Sequence, residues 1–180
     1  MKGVRTADMG GLREKLNDIA LCGLPAALEV VGERWSFMIV RAALNGICHF
    51  EEFLTEIGIA RNILANRLSR LTESGILHRT PCPEDRRKVE YRLTEKGLDF
   101  LPAMIALRQW GEKWETCMPS NPVLADQRDR LPILPVTIRS SDNRILSHKD
   151  LCWIDTSELA ADRDGGHAQD GSNIRKIGSI

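Results

Sequence analysis

Residues 59–75 read "IARNILANRLSRLTESG". At about 100° per residue, Leu64, Leu68 and Leu71 fall on one face, with Asn62, Asn66, Ser69 and Arg70 nearly opposite. Leucines at that spacing predict a helix lying on a core, and Gly75 predicts its stop. Just upstream, "FEEFLTEI" (50–57) places Phe50, Phe53, Leu54 and Ile57 on one side and Glu51, Glu52 and Glu56 on the other, before Gly58 breaks it. A short helix, a tight turn and an amphipathic helix spell a helix-turn-helix. The outward face of the second helix, which also carries Arg61 and Arg67, holds amides and guanidinium groups rather than a Glu/Lys mixture. Asn can pair bidentately with adenine and Arg with guanine, and both reach phosphates. Polar residues on an exposed face are ordinary, however, so this helix alone does not decide for DNA.

The next residues add a second signal. "ILHRTPC" (76–82) and "KVEYRLT" (88–94) read as two β-strands joined by "PEDRRK", with Arg86, Arg87 and Lys88 at the turn. Adjacent positive charges on a hairpin repel one another, and a phosphate backbone would remove that penalty. A helix-turn-helix followed by a hairpin is the order of a winged helix. Its tip would lie beside a duplex, where Arg86 and Arg87 can neutralise phosphates or enter the minor groove. Charge is distributed accordingly. The chain is neutral overall, yet residues 60–96 hold nine Lys and Arg against five Asp and Glu, leaving sixteen against twenty elsewhere. A basic quarter on an acidic remainder suits a polyanion.

The flanks complete the organisation. Residues 1–20 form a polar, Gly-containing arm with a weak helical pattern. "LPAALEVVGERWSFMIVRAALNG" (24–46) reads as two helices, the first starting near Pro25, separated at Gly32 and stopped at Gly46. Thr94 caps a long helix, "EKGLDFLPAMIALRQWGEKWE" (95–115), which Pro102 should bend. That helix has two apolar stripes, Leu98, Leu101 and Ile105 against Ala103, Leu107, Trp110 and Trp114. One stripe can serve the chain's own core; the other calls for a partner surface or the N-terminal helix. Two tryptophans one turn apart suit an interface anchor. Thereafter "PSNPVLADQRDRLP" (119–132) reads as a linker, "ILPVTIRSSDNRILSHKDLCWI" (133–154) as a hairpin about Ser141, Asp142 and Asn143, and the remainder as disordered. The expected organisation is an arm (1–20), a winged-helix domain with a dimerisation helix (21–118), a β-hairpin extension (119–155) and a tail (156–180). The fold class is mainly α with a small β wing.

Other function classes find little support. Hydrophobic residues make up 42% of the 180 positions, enough for a packed core, but no apolar run approaches the ~20 residues that span a bilayer. The N-terminus lacks the apolar stretch of a signal peptide, so a cytoplasmic location is expected. Five cysteines are widely spread, with no C-x-x-C pair and no Cys/His cluster at metal spacing. A reducing compartment would leave most of them as thiols. No metal site, cofactor motif, glycine-rich phosphate loop or nucleophile–base arrangement is evident, and no enzyme is expected.

Four stretches together resemble the HxlR-type winged-helix transcriptional regulators of bacteria: "CGLPAALEVVGERWSFMIVRAALNG", "HFEEFLTEIGIARNILANRLSRLTESGIL", "VEYRLTEKG" and "WGEKW". MarR-type regulators share a wing like "EDRR" but lack the Cys-then-"GERW" opening and the closing "WGEKW". The sequence departs from the HxlR pattern at His49, where the family usually has Arg before Phe. The resemblance implies a homodimer built from the N-terminal and long C-terminal helices, with Leu107, Trp110 and Trp114 at its interface. It implies a pseudo-palindromic double-stranded DNA operator, with repression favoured over activation. Recognition would fall to the helix carrying Arg61, Asn62, Asn66, Arg67 and Arg70, with wing contacts from Arg86 and Arg87. In several relatives the cysteine at the place of Cys22 senses quinones, aldehydes or oxidants, which makes Cys22 a candidate redox sensor; its other reading is a small packing residue. Two alternatives stay open: a MarR-type regulator responding to a small ligand, and a winged-helix module that binds an acidic protein partner.

Overall fold

The structure, a computed structural model, describes residues 22–82, 85, 88–154 and 157. It is a winged helix-turn-helix. In chain order come α1 (Gly23–Val31), α2 (Arg34–Leu44), α3 (Phe50–Ile57), α4 (Arg61–Glu73), β1 (Leu77–Pro81), β2 (Val89–Leu93), α5 (Glu95–Leu98) and α6 (Leu101–Gly111). A π-helical turn, Glu112–Thr116, prolongs α6, and a second hairpin pairs β3 (Ile138–Arg139) with β4 (Ile145–Leu146). The described residues divide into two compact units, one ending at Thr137 and one beginning at Ile138. The N-terminal arm (1–20) and the tail beyond Ile154, apart from Ser157, lie outside the described residues.

The core forms where three helices and the wing meet. Ile39 and Val40 of α2, Phe53 of α3, and Leu64, Leu68 and Leu71 of α4 pack with Ile76 and Leu77 at the entry to β1. All are essentially inaccessible to solvent. Burying an aliphatic or aromatic side chain of this size contributes about 1.5–3 kcal/mol, so the leucine stripe of α4 is a principal source of its order. Gly58 makes the turn between α3 and α4 with φ 67°, a conformation in which a side chain would be strained, while its N–H closes α3 on the Leu54 carbonyl.

β1 and β2 pair antiparallel from Leu77↔Leu93 to Pro81↔Val89. Thr94 then joins the far end of the wing to the end of α4. Its hydroxyl donates to the Gly75 carbonyl at 2.6 Å and accepts from the Gly97 N–H at 3.1 Å. Gly97 is required by close approach, since a Cβ there would collide with the Ile76 carbonyl.

Three expectations need correction. α1 begins at Gly23 with Cys22 as its N-cap, ahead of Pro25. Pro102 does not bend a continuous helix: the chain breaks after Leu98, and Pro102 falls in the first turn of α6, where its missing N–H has no partner to lose. Finally, the linker-like residues 119–132 do not run free of α6, and neither do the residues just after them. Arg108 Nη2 donates to the Pro122 carbonyl at 2.5 Å, and the Gln109 amide oxygen accepts from the Val136 N–H at 2.8 Å. An inner bridge, Ala125↔Pro132, closes the segment on itself. Among the described residues, no helix is long and apolar enough to cross a membrane.

Candidate nucleic-acid interface

With its leucines buried, α4 presents Arg61, Asn62, Asn66, Ser69 and Arg70 to solvent. Among the described residues, neither the Asn62 nor the Asn66 amide has a hydrogen-bond partner. Arg61 is engaged. Its guanidinium makes a two-pronged pair with Glu51 of α3, at 2.7 and 2.8 Å, and lies 5.3 Å from the centre of the Phe50 ring. The hydrogen bond from Arg61 holds the Glu51 carboxyl below the usual carboxylate range. α3 and α4 are thereby tied across the turn by charge as well as by the core.

Arg67, and Arg70 from the solvent side, reach the junction of α1 and α2. Both pair with the Glu33 carboxylate, Arg70 at 3.7 Å, and Arg70 also approaches the Glu29 carbonyl at 3.4 Å. Arg67 does not stand on the open face: its side chain is only 18% exposed and its Nε is buried without a partner. The periodicity of α4 sets Arg67 at the edge of the leucine face but does not reveal its partner, because Glu33 comes from the α1–α2 junction. The carboxylate that balances a half-buried guanidinium should matter more than an ordinary surface partner. Glu33→Ala is expected to destabilise the domain by about 1–3 kcal/mol in denaturant unfolding. An unchanged midpoint would mean that Arg67 is fully solvated in its absence.

The wing adds Lys88, exposed, with its N–H on the Asp85 carbonyl at 2.8 Å. Arg86 and Arg87 lie outside the described residues. At the same end of β2, next to Lys88, the structure brings together residues far apart in sequence. His49, the N-cap of α3, bridges to Glu90, and the Cys48 carbonyl accepts from the Tyr91 N–H at 2.8 Å. The Glu52 carboxylate caps the N–H groups of Cys48 and His49 at 3.3 and 3.1 Å. Arg92 holds Glu90 below the usual carboxylate range through a 2.8 Å hydrogen bond, and burial pushes the Cys48 thiol up. The adjacent Cys48 and His49 were the available signal; Glu90 could be added only by knowing the strand pairing.

Cys22, at the start of α1, is partly buried. Leu107 and Trp110 of α6 and Trp114 of the π-helical turn are 50%, 53% and 61% exposed, and no α6 residue is buried. The contact between α6 and the core comes instead from Met104 and the preceding Phe100, whose ring lies 5.2 Å from that of Phe37.

Residues 30–118, from the end of α1 past the π-helical turn, match the HxlR-like helix-turn-helix family. The uncharacterized HTH-type transcriptional regulator Rv3095 of Mycobacterium tuberculosis is 43% identical over 88 residues, 49% of this chain and 56% of that one. The chain thus spans about half the length of that relative. An HTH-type regulator of Methanothermobacter thermautotrophicus is 32% identical over 99 residues, covering 54% of this chain and 76% of its own. The crystal structure of PA1607, described as a transcription factor, superimposes with a TM-score of 0.70 at 35% identity, over 75% of this chain and 95% of that one. Helix-turn-helix, wing and α6 all fall within the matched span, and the chain belongs to the HxlR-like helix-turn-helix family.

Proposed function

We propose that this chain is a sequence-specific DNA-binding transcriptional regulator, acting in the cytoplasm as a repressor on a pseudo-palindromic operator. The observation that carries the reading is the open face of α4, where Asn62 and Asn66 stand unpaired opposite three buried leucines. Amides held in that way can meet base edges, while Arg61, Arg70 and the wing arginines Arg86 and Arg87 serve phosphates. Arg67 supports α4 from behind. Genomic fragments retained by the purified protein should include particular promoters, preferred over bulk DNA at equal salt. Asn66→Ala should relax base preference by about 1–3 kcal/mol. Arg86→Ala with Arg87→Ala should weaken all sequences alike and flatten the salt dependence by about one unit per lost phosphate contact. Equal retention of every fragment would reject the reading.

The operator would be read by a homodimer. Support comes from the exposed apolar surface of α6, since a helix with its tryptophans in water has unspent burial energy. Two-fold pairing would set two recognition helices about one DNA turn apart, roughly 34–36 Å. In light scattering the wild type should run as two chains and Trp110→Glu with Trp114→Glu as one. A variant that remains dimeric would remove α6 from the interface.

An oxidant effector acting at Cys22 belongs to the same reading. The residue begins α1 and is partly accessible, where attack by a diamide or a quinone would alter the N-terminal helix. Mild diamide should abolish operator binding by the wild type and spare Cys22→Ser. Equal behaviour of the two proteins would leave Cys22 as a packing residue.

A further inference from the structure

The joint between the helix-turn-helix and the wing holds three groups of metal-ligating type. Cys48 Sγ, a ring nitrogen of His49 and a carboxylate oxygen of Glu90 lie within 4.8 Å of one another, and all three residues are half-buried. Their backbones are fixed. The His49↔Glu90 bridge and the Tyr91 N–H on the Cys48 carbonyl join α3 to β2, while Glu52 caps both Cys48 and His49.

Hydrogen bonds hold the side chains in place, and Glu90 takes one from the Cys82 thiol as well as from Arg92. His49 Nδ1 lies 3.3 Å from the Val89 carbonyl, and in the tautomer with the proton on Nδ1, which can donate there, Nε2 bears the lone pair. That Nε2 faces Glu90 Oε1 at 3.9 Å, too far for a hydrogen bond between them. The other carboxylate oxygen, Oε2, is taken by Arg92 Nε at 2.8 Å. Imidazole held by a backbone carbonyl, and carboxylate held by an outer donor, is how metal ligands are ordinarily supported. Two ligands of a tetrahedral ion with bonds of about 2.0–2.2 Å stand roughly 3.4 Å apart, so Nε2 and Oε1 need to close by only about half an ångström.

We propose that Cys48, His49 and Glu90 bind a divalent transition-metal ion, zinc fitting best, through thiolate, imidazole and carboxylate, with a fourth position open to solvent. This donor set suits a metal of borderline softness and disfavours magnesium or calcium. On binding, the Cys48 thiol gives its proton to solvent and its sulfur to the metal. The ion would fasten the first helix of the helix-turn-helix to the wing. Its occupancy is readable without DNA.

The test uses the reduced full-length chain, titrated with cobalt(II) as a coloured stand-in and then with zinc. One cobalt per chain is expected, with a thiolate-to-cobalt charge-transfer absorption in the near ultraviolet that zinc abolishes. Cys48→Ser should lose that absorption, and Cys117→Ser should keep it. His49→Gln and Glu90→Gln, with circular dichroism like that of the wild type, should each bind at least about tenfold more weakly. Failure to bind one metal ion per chain would overturn the proposal. So would a charge-transfer absorption that survives Cys48→Ser, or wild-type affinity in a folded Glu90→Gln chain.

Discussion

Leu64, Leu68 and Leu71 fill the centre of the domain at 0%, 1% and 0% exposure, and in doing so they set the rotation of α4 about its own axis. A helix has one angular relation between its faces, so burying the leucines leaves no freedom in where Asn62 and Asn66 stand. Turning α4 by one residue would drive amides into hydrocarbon at a cost of kilocalories each while exposing leucine to water. The same leucines meet Phe53 of α3 and Ile39 and Val40 of α2, so the packing that stabilises the domain also aims its outer surface.

Charge refines what the core sets. Glu51 and Glu33 each take up arginines of α4, one across the tight turn and one behind the helix. The first pair lies open to water and adds little to stability by itself. The second is partly sheltered, and it converts Arg67 from a surface cation into a prop between α4 and the α1–α2 junction. All three arginines of α4, then, are paired with carboxylates outside it, and the open amides are the groups without an internal task.

The helices, the hairpin and the helix-turn-helix order were legible because each depends on local spacing: the leucine period of α4, Gly58 at φ 67°, Thr94 before α5. The residues that touch across elements were not. A helical projection sets Arg67 at the edge of the leucine face, but it does not reveal that Glu33 is its partner. Pro102 reads as a bend until the break ahead of α6 is known, after which it is an ordinary first-turn proline. Residues 119–132 carry linker composition, yet Arg108 and Glu112 supply partners to backbone groups at Pro122 and Ser120 that composition cannot foresee. The grouping of Cys48 and His49 with Glu90 likewise exists only once β2 is laid beside the start of α3.

The Arg61–Glu51 pair has an electrical consequence for any duplex that approaches α4. As a closed pair it is neutral at a distance and contributes nothing to long-range attraction, which is left to the cations of the wing and strands. A phosphodiester arriving within reach of Arg61 would compete with a carboxylate that already occupies two of its donors. The exchange would leave Glu51 bare beside the backbone, favourable only where the phosphate is better placed than the carboxylate it displaces. A loosely associated duplex would leave the pair shut, and a seated one could open it. Arg61 would then work less as an attractor than as a latch that answers to register.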